Sequence, residues 1–185
     1  MPGAKDPREA GPGGARVLST RRVYEGKVLS LDVDEVEEPG GVRARREVVR
    51  HRGSVATLAV DDEGRVALVR QYRYAVDEAL WELPAGRRDG DETPEAGARR
   101  ELIEETGLRA GRMELLAEFF TTPGFCDERM SVFRASGLTP GAAQPEADER
   151  IELRWFTRAE IAAMLKDGTL REGKTLVALL MEQSR

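Results

Sequence analysis

The stretch Gly86 to Leu108, GRRDGDETPEAGARRELIEETGL, constrains this chain more than any other. Thr93 is a plausible N-cap, Pro94 suits the first helical position and Gly107 sits where a left-handed cap is wanted, so the segment between reads as a helix. At 100° per residue Glu101 and Glu105 fall one turn apart on one face, with Glu104 beside them. Like charges at that spacing repel by a few tenths of a kcal/mol per pair. They also occupy the last turn, where the helix dipole favours cations. Nothing local favours three carboxylates here, and a local rule broken this clearly marks function. Divalent cations remove the conflict. Carboxylate oxygens are the ligands that hard Mg²⁺ prefers, and Mg²⁺ shares its coordination with waters and substrate phosphates. Arg100, next to the cluster, can orient a carboxylate by bidentate bonding.

The remainder of the chain bounds the answer. Its 185 residues suit one domain with a small terminal addition. A net charge of -5 argues against a general nucleic-acid binder, which works by neutralising phosphates. The single cysteine, Cys126, allows no internal disulfide and fits a reducing compartment. No apolar run approaches membrane-spanning length and the N-terminus lacks a signal-peptide core, so a cytoplasmic protein with no membrane partner is expected.

Residues 1–15, rich in Gly, Pro and charge, read as a disordered tail. Residues 16–50 hold two strand-like runs, Val17 to Val36 and Arg43 to Arg50, about the turn Pro39-Gly40-Gly41. From 51 to 185 a main domain follows. VATLAV and RVALVRQY, joined through Asp61 to Gly64, read as a β-hairpin. Further strands are expected at Ala79 to Leu83, Met113 to Thr121, Met130 to Ala135 and Ile151 to Phe156. Thr157 with Glu160 forms a capping box for a second helix ended by Gly168, and a third runs from about Lys174 to Glu182. The pattern is α+β, helices on the faces of a mixed sheet behind an N-terminal antiparallel extension.

Gly86, five residues, Glu92, seven residues, then Arg100-Glu101-Leu102-Ile103-Glu104-Glu105-Thr106-Gly107-Leu108 matches the Nudix box at every defined position. By composition such a match arises by chance on the order of once in ten million chains. The chain is therefore similar to the Nudix hydrolases. That resemblance implies the Nudix fold, an α/β/α sandwich around a mixed sheet, with hydrolysis of a nucleoside diphosphate linked to another group and Mg²⁺ (or Mn²⁺) as cofactor. It makes Glu101 and Glu105 the principal metal ligands, Glu104 a further ligand or water-positioning group, Glu92 an outer ligand, and the carbonyl of Ala85 a completing donor.

The flanks LVRQYRYAVDEALWELPAG (68–86), EVVRHRGSV (47–55) and TTPGFCDE (121–128) resemble the ADP-ribose pyrophosphatase group, and GDP-mannose hydrolases share much of them. By resemblance Arg73 contacts the pyrophosphate, and Gly124 and Glu128 border the terminal ribose. The same resemblance implies a general base from an acidic loop before the last core strand, here QPEADERIEL (144–153), with Glu146 and Glu149 as candidates; alternatively the cluster activates the water through metal with no separate base. Tyr24 is placed for base stacking or a subunit contact, because N-terminal strands in this group exchange within homodimers. A non-catalytic ADP-ribose-binding sensor is the alternative from another class, against which the intact box speaks.

Gly168 to Thr175 also spells the phosphate-loop pattern GxxxxGK[ST], but it follows an amphipathic helix instead of a buried strand and is discounted. His51 is the only histidine, which excludes histidine-rich metal sites and Ser-His-Asp triads.

Overall fold

The computed structural model describes residues 14–144 and 150–184. The expected disordered tail lies almost wholly outside the described residues, as do Glu146 and Glu149. The described residues form two compact units, one of residues 14–52 and 122–128, the other of residues 53–121, 129–144 and 150–184.

The first unit is a three-stranded antiparallel sheet of β1 (Arg16–Glu25), β2 (Ser30–Glu38) and β3 (Val42–Arg50), in the order β1-β2-β3. The single run expected from Val17 to Val36 is thus two strands. The chain reverses at Gly26, whose N–H donates to the carbonyl of Leu29 (3.0 Å). Glu25-Gly26-Lys27 was the overlooked turn signal. Strand β2 alternates inward at Asp32, Asp34 and Val36, so two of its three buried positions are acidic. Arg50 answers both acids, reaching Asp34 at 2.6 Å and Asp32 at 3.2 Å. Buried carboxylates persist only with such partners.

The second unit contains the helix of interest. Its strands are β4 (Ser54–Ala59), β5 (Val66–Arg73), β6 (Glu78–Glu82), β7 (Ala85–Arg87), β8 (Arg109–Phe120), β9 (Arg129–Thr139) and β10 (Glu152–Phe156). Its helices are α1 (Pro94–Thr106), α2 (Arg158–Lys166) and α3 (Gly173–Gln183). The strands make two sheets, β7-β4-β9-β8, in which β4 and β9 run parallel, and an antiparallel β10-β5-β6. The expected hairpin of β4 and β5 survives only at its turn, where Asp61 N–H meets the carbonyl of Arg65 and Val60 bridges Val66. Beyond it the two strands part into different sheets. Every residue of β4 is buried, and a continuous apolar run of that kind belongs inside a sheet with neighbours on both edges.

The period of two in β4 then sorts the helices. Ala56 and Leu58 share a core with Leu170, Ala178 and Leu179, the α3 side. Val55 meets Ala98 of α1, Ala59 meets Leu102, and Thr57 donates its hydroxyl to the carbonyl of Ala98 (3.2 Å). Helices α1 and α3 therefore cover opposite faces of one mixed sheet, the expected sandwich. Trp81 of the WELPAG segment packs edge-on against Phe156 at 4.9 Å, as core. Among the described residues no helix is long and apolar enough to cross a membrane.

Candidate active site

Helix α1 begins as its sequence requires. Thr93 accepts from Ala96 N–H, Pro94 follows, and Gly107 caps the C-terminus at φ 73°. The buried stripe runs Ala98, Leu102, Glu105, Thr106, so the apolar periodicity itself carries Glu105 inward. Its carboxylate, 5% exposed, accepts from the N–H of Ala85 at 3.1 Å. One glutamate of the box is thereby tied to the first residue of β7.

Glu101 faces the same strand. An added Cβ on Gly86 would overlap the Glu101 carboxyl group. Glycine is needed at 86 for this close approach, not for a left-handed backbone. Glycine at 97 serves Glu92 likewise, since a Cβ there would stand 2.7 Å from Glu92 Oε1. Two of the box's surroundings are thus shaped by the space its carboxylates occupy.

Arg100 joins what the helix should hold apart. Its guanidinium donates to Glu92 (2.9 Å), Glu101 (2.8 Å), Glu104 (2.8 Å) and the carbonyl of Arg87 (2.9 Å). The bonds to Glu92 hold that carboxyl below the usual carboxylate range, and Arg100 in turn is pushed far above the ordinary guanidinium value, Glu92 being the first cause. The like-charge repulsion noted in the sequence is answered by one central cation.

A small polar cavity of about 150 Å³ is lined by Ala85, Gly86, Arg87, Asp89, Arg100, Glu101 and Glu104. Asp89, Glu101 and Glu104 bring to it carboxylates of the kind that suit a hard divalent ion, beside the cations Arg87 and Arg100. Among the described residues no three acidic, histidine or cysteine groups converge into a ready-made cage. Glu101 and Glu104 both pair with Arg100 Nη1 at 2.8 Å. Glu105 and Glu101 nonetheless meet the first two residues of β7, Ala85 and Gly86, while Glu92 is tied to the segment after it through Asp89 N–H and Arg100. The carbonyl of Glu104 also accepts from Gln144 N–H at 2.8 Å, which anchors the first residue of the acidic segment to the end of α1.

Arg73, at the end of β5, makes a bidentate pair with Glu82 of β6 (2.8 and 2.7 Å). Glu82 is 1% exposed. Burial pushes its carboxyl up, but the bonds from Arg73 and the charge of Lys174 outweigh this and hold it below the ordinary value. Arg73 is raised, chiefly by Glu82 and in part by Glu105. Sequence reasoning passed over Glu82, Glu172, Lys174 and Thr175. The signals were there, one inside WELPAG and three at the end of the discounted phosphate-loop pattern.

Gly124, Glu128 and Tyr24 belong to the first unit. Gly124 lies in a turn where Phe125 and Cys126 N–H donate to the carbonyl of Thr122, and a side chain there would meet open space. Glu128 stands 3.5 Å from His51 Nδ1. Tyr24 is exposed on β1 with its ring laid over Gly26.

Comparison with known proteins identifies the family. The NUDIX domain family matches residues 50–179. An ADP-ribose pyrophosphatase of Mycobacterium tuberculosis is 39% identical over 88% of this chain and 80% of its own. One from Bacillus subtilis is 36% identical over 89% and 90%, and a methanol dehydrogenase activator of Bacillus methanolicus 37% over the same shares. A crystal structure of an ADP compounds hydrolase shares the fold, with a TM-score of 0.80 over 95% of this chain and 96% of that one at 21% identity. A domain match spanning most of the chain, with relatives 36–39% identical over 88–89% of it, places this chain in the Nudix hydrolase family.

Proposed function

We propose that the chain hydrolyses the pyrophosphate of a nucleoside diphosphate sugar, ADP-ribose above others, to AMP and ribose 5-phosphate, with Mg²⁺ as the metal and Mn²⁺ as a substitute. The observation that carries this reading is the pair of box glutamates set against Ala85 and Gly86, Glu105 bonded to the first and Glu101 lodged where a Cβ on the second cannot be. The ADP-ribose pyrophosphatases at 36–39% identity support the choice of substrate. A GDP-mannose pyrophosphatase of Citrobacter koseri at 33% over 81% of this chain supports GDP-mannose as the second reading.

Glu101 and Glu105 would hold the metal, with Glu104 and the Ala85 carbonyl as further donors. When bound, the ion would polarise a phosphoryl oxygen and make water a better nucleophile at neutral pH. Glu92 keeps Arg100 in place, and Arg100 orients Glu101 and Glu104. Arg73 offers a guanidinium suited to phosphate oxygens, braced from behind by Glu82. Glu146 or Glu149 supplies a general base in this scheme. Substrate roles for Gly124, Glu128 and Tyr24 rest on family resemblance. So does a homodimer with exchanged N-terminal strands, while a cytoplasmic location rests on the single cysteine. The intact box weighs against a sensor that binds without cutting.

Glu101→Gln and Glu105→Gln test the site. Each is expected to lower kcat by two or more orders of magnitude, roughly the loss that follows removal of a group stabilising transition-state charge, with thermal unfolding near that of the parent. Full activity in either variant would refute the assignment.

A further inference from the structure

Segment Gly168 to Thr175 has the letters of a phosphate loop and the structure of something else. Glu172 caps α3 with its carboxylate, which accepts from Lys174 N–H (3.1 Å) and Thr175 N–H (3.0 Å). Thr175, fully buried, accepts from the N–H of Leu83 at 2.9 Å and donates its hydroxyl to Glu172 at 2.8 Å. Lys174 Nζ then reaches Glu82 Oε2 at 2.7 Å and Glu172 Oε1 at 3.0 Å, with only 12% of its side chain exposed. The first turn of α3 is thus fastened to the two residues that end the WEL run.

Glu82 holds two cations at once. Arg73 Nη2 and Lys174 Nζ meet the same oxygen, Oε2, while Arg73 Nε takes Oε1. With Glu172, the four side chains sum to zero charge. A buried carboxylate that lost one partner would press its whole demand on the other, and the cluster would carry a net negative charge beside a group meant for phosphate. Lys174 leaves Arg73, 40% exposed at its side chain, able to attract an anion in addition to Glu82.

We infer that Lys174 is a positioning residue for pyrophosphate binding, acting through Glu82 to hold Arg73 oriented and electropositive. This rests on the reading that Arg73 faces the pyrophosphate, and it is independent of which base or sugar is attached. A purely structural lysine would change the amount of folded enzyme, and with it apparent kcat; a positioning lysine changes KM, and changes it only while Arg73 is present.

The test is a double-mutant cycle on Arg73→Gln and Lys174→Met, with Lys174→Arg as the conservative variant. KM, kcat, Tm and the Mg²⁺ midpoint would be measured on whichever nucleoside diphosphate sugar the parent cleaves best. Loss of a charge-assisted phosphate contact predicts a KM rise of roughly ten- to a hundredfold for Arg73→Gln. Lys174→Met should raise KM about tenfold with kcat within about threefold and an unchanged Mg²⁺ midpoint. Lys174→Arg should recover most of the loss, and the double variant should be no worse than Arg73→Gln alone. If Lys174→Met raises no KM, or its effect multiplies with that of Arg73→Gln, the inference is overturned while the reading of Arg73 stands. If Arg73→Gln leaves KM unchanged, that reading fails and the inference with it. Should Lys174→Met not fold, Lys174→Gln, which keeps a hydrogen-bond donor near Glu82, takes its place in the cycle.

Discussion

Replacing Arg100 by Gln removes the cation around which the box is arranged, and the structure sets the size of the effect. Four acceptors at 2.8–2.9 Å lose their donor, three of them carboxylates. A hydrogen bond to a charged group is worth about 1.5–3 kcal/mol net, so a simple sum would approach ~6–12 kcal/mol. That sum is too large, because bonds sharing one guanidinium are not additive and 28% of the Arg100 side chain is open to solvent. The i,i+4 bond to Glu104 is a surface-type pair worth about 0.5 kcal/mol. A cost of about 3–4 kcal/mol is the reasoned figure, with the fixed, half-buried Glu92 and Glu101 contributing most. At ~2–4 °C per kcal/mol for a chain of this size, Tm should fall by about 6–16 °C. Calorimetry in EDTA reads this directly. Saturating Mg²⁺ should narrow the gap between parent and variant, since an ion that binds the folded carboxylates replaces part of the missing charge. Arg100→Lys should fall between, retaining charge without the planar fork. A Tm loss below about 2 °C in EDTA would show that the network is decorative and would refute the reasoning.

Gly86→Ala should spare the fold and damage the chemistry. Its backbone tolerates a side chain, but the methyl group would displace the Glu101 carboxyl, so kcat should drop by roughly two orders of magnitude at a stability cost of only about 1–3 kcal/mol; comparable losses in both, or in neither, would contradict this. Acid unfolding offers a separate check. Glu92 is held below its ordinary value of 4.5, mainly by Arg100, so its contribution is complete above that value and is lost as pH falls through the folded one. The urea midpoint of the parent should decline below about pH 4.5, and Arg100→Gln should show a shallower decline over the same range; parallel curves would detach Glu92 from Arg100.

Helix α1 and its carboxylates were legible in the sequence because caps, spacing and an electrostatic conflict all lie within one local segment. Thr93, Pro94 and Gly107 define the helix without help from the rest of the chain. The parting of β4 from β5 was not legible. Both runs are continuous and apolar, and a periodicity of two cannot say which neighbour a strand buried on both faces will take. The split of residues 16–38 into β1 and β2 hid behind a Glu-Gly-Lys turn with little apolar contrast around it. Glu82 and Lys174 escaped for a different reason. Ninety-two positions separate them in the chain, and only the folded sheet brings a strand-end acid to a helix cap. Local pattern gives the half of the site that would bind metal; the half that would meet phosphate is assembled by long-range packing.

The central claim is that the box cuts ADP-ribose. The most direct measurement incubates the parent protein with ADP-ribose and Mg²⁺, quantifies AMP and ribose 5-phosphate, and runs GDP-mannose alongside. The account predicts the two products in equal amounts, loss of both in Glu105→Gln, and a kcat/KM for ADP-ribose at least about tenfold above that for GDP-mannose. Binding of ADP-ribose without release of AMP, or a preference for GDP-mannose, would contradict it.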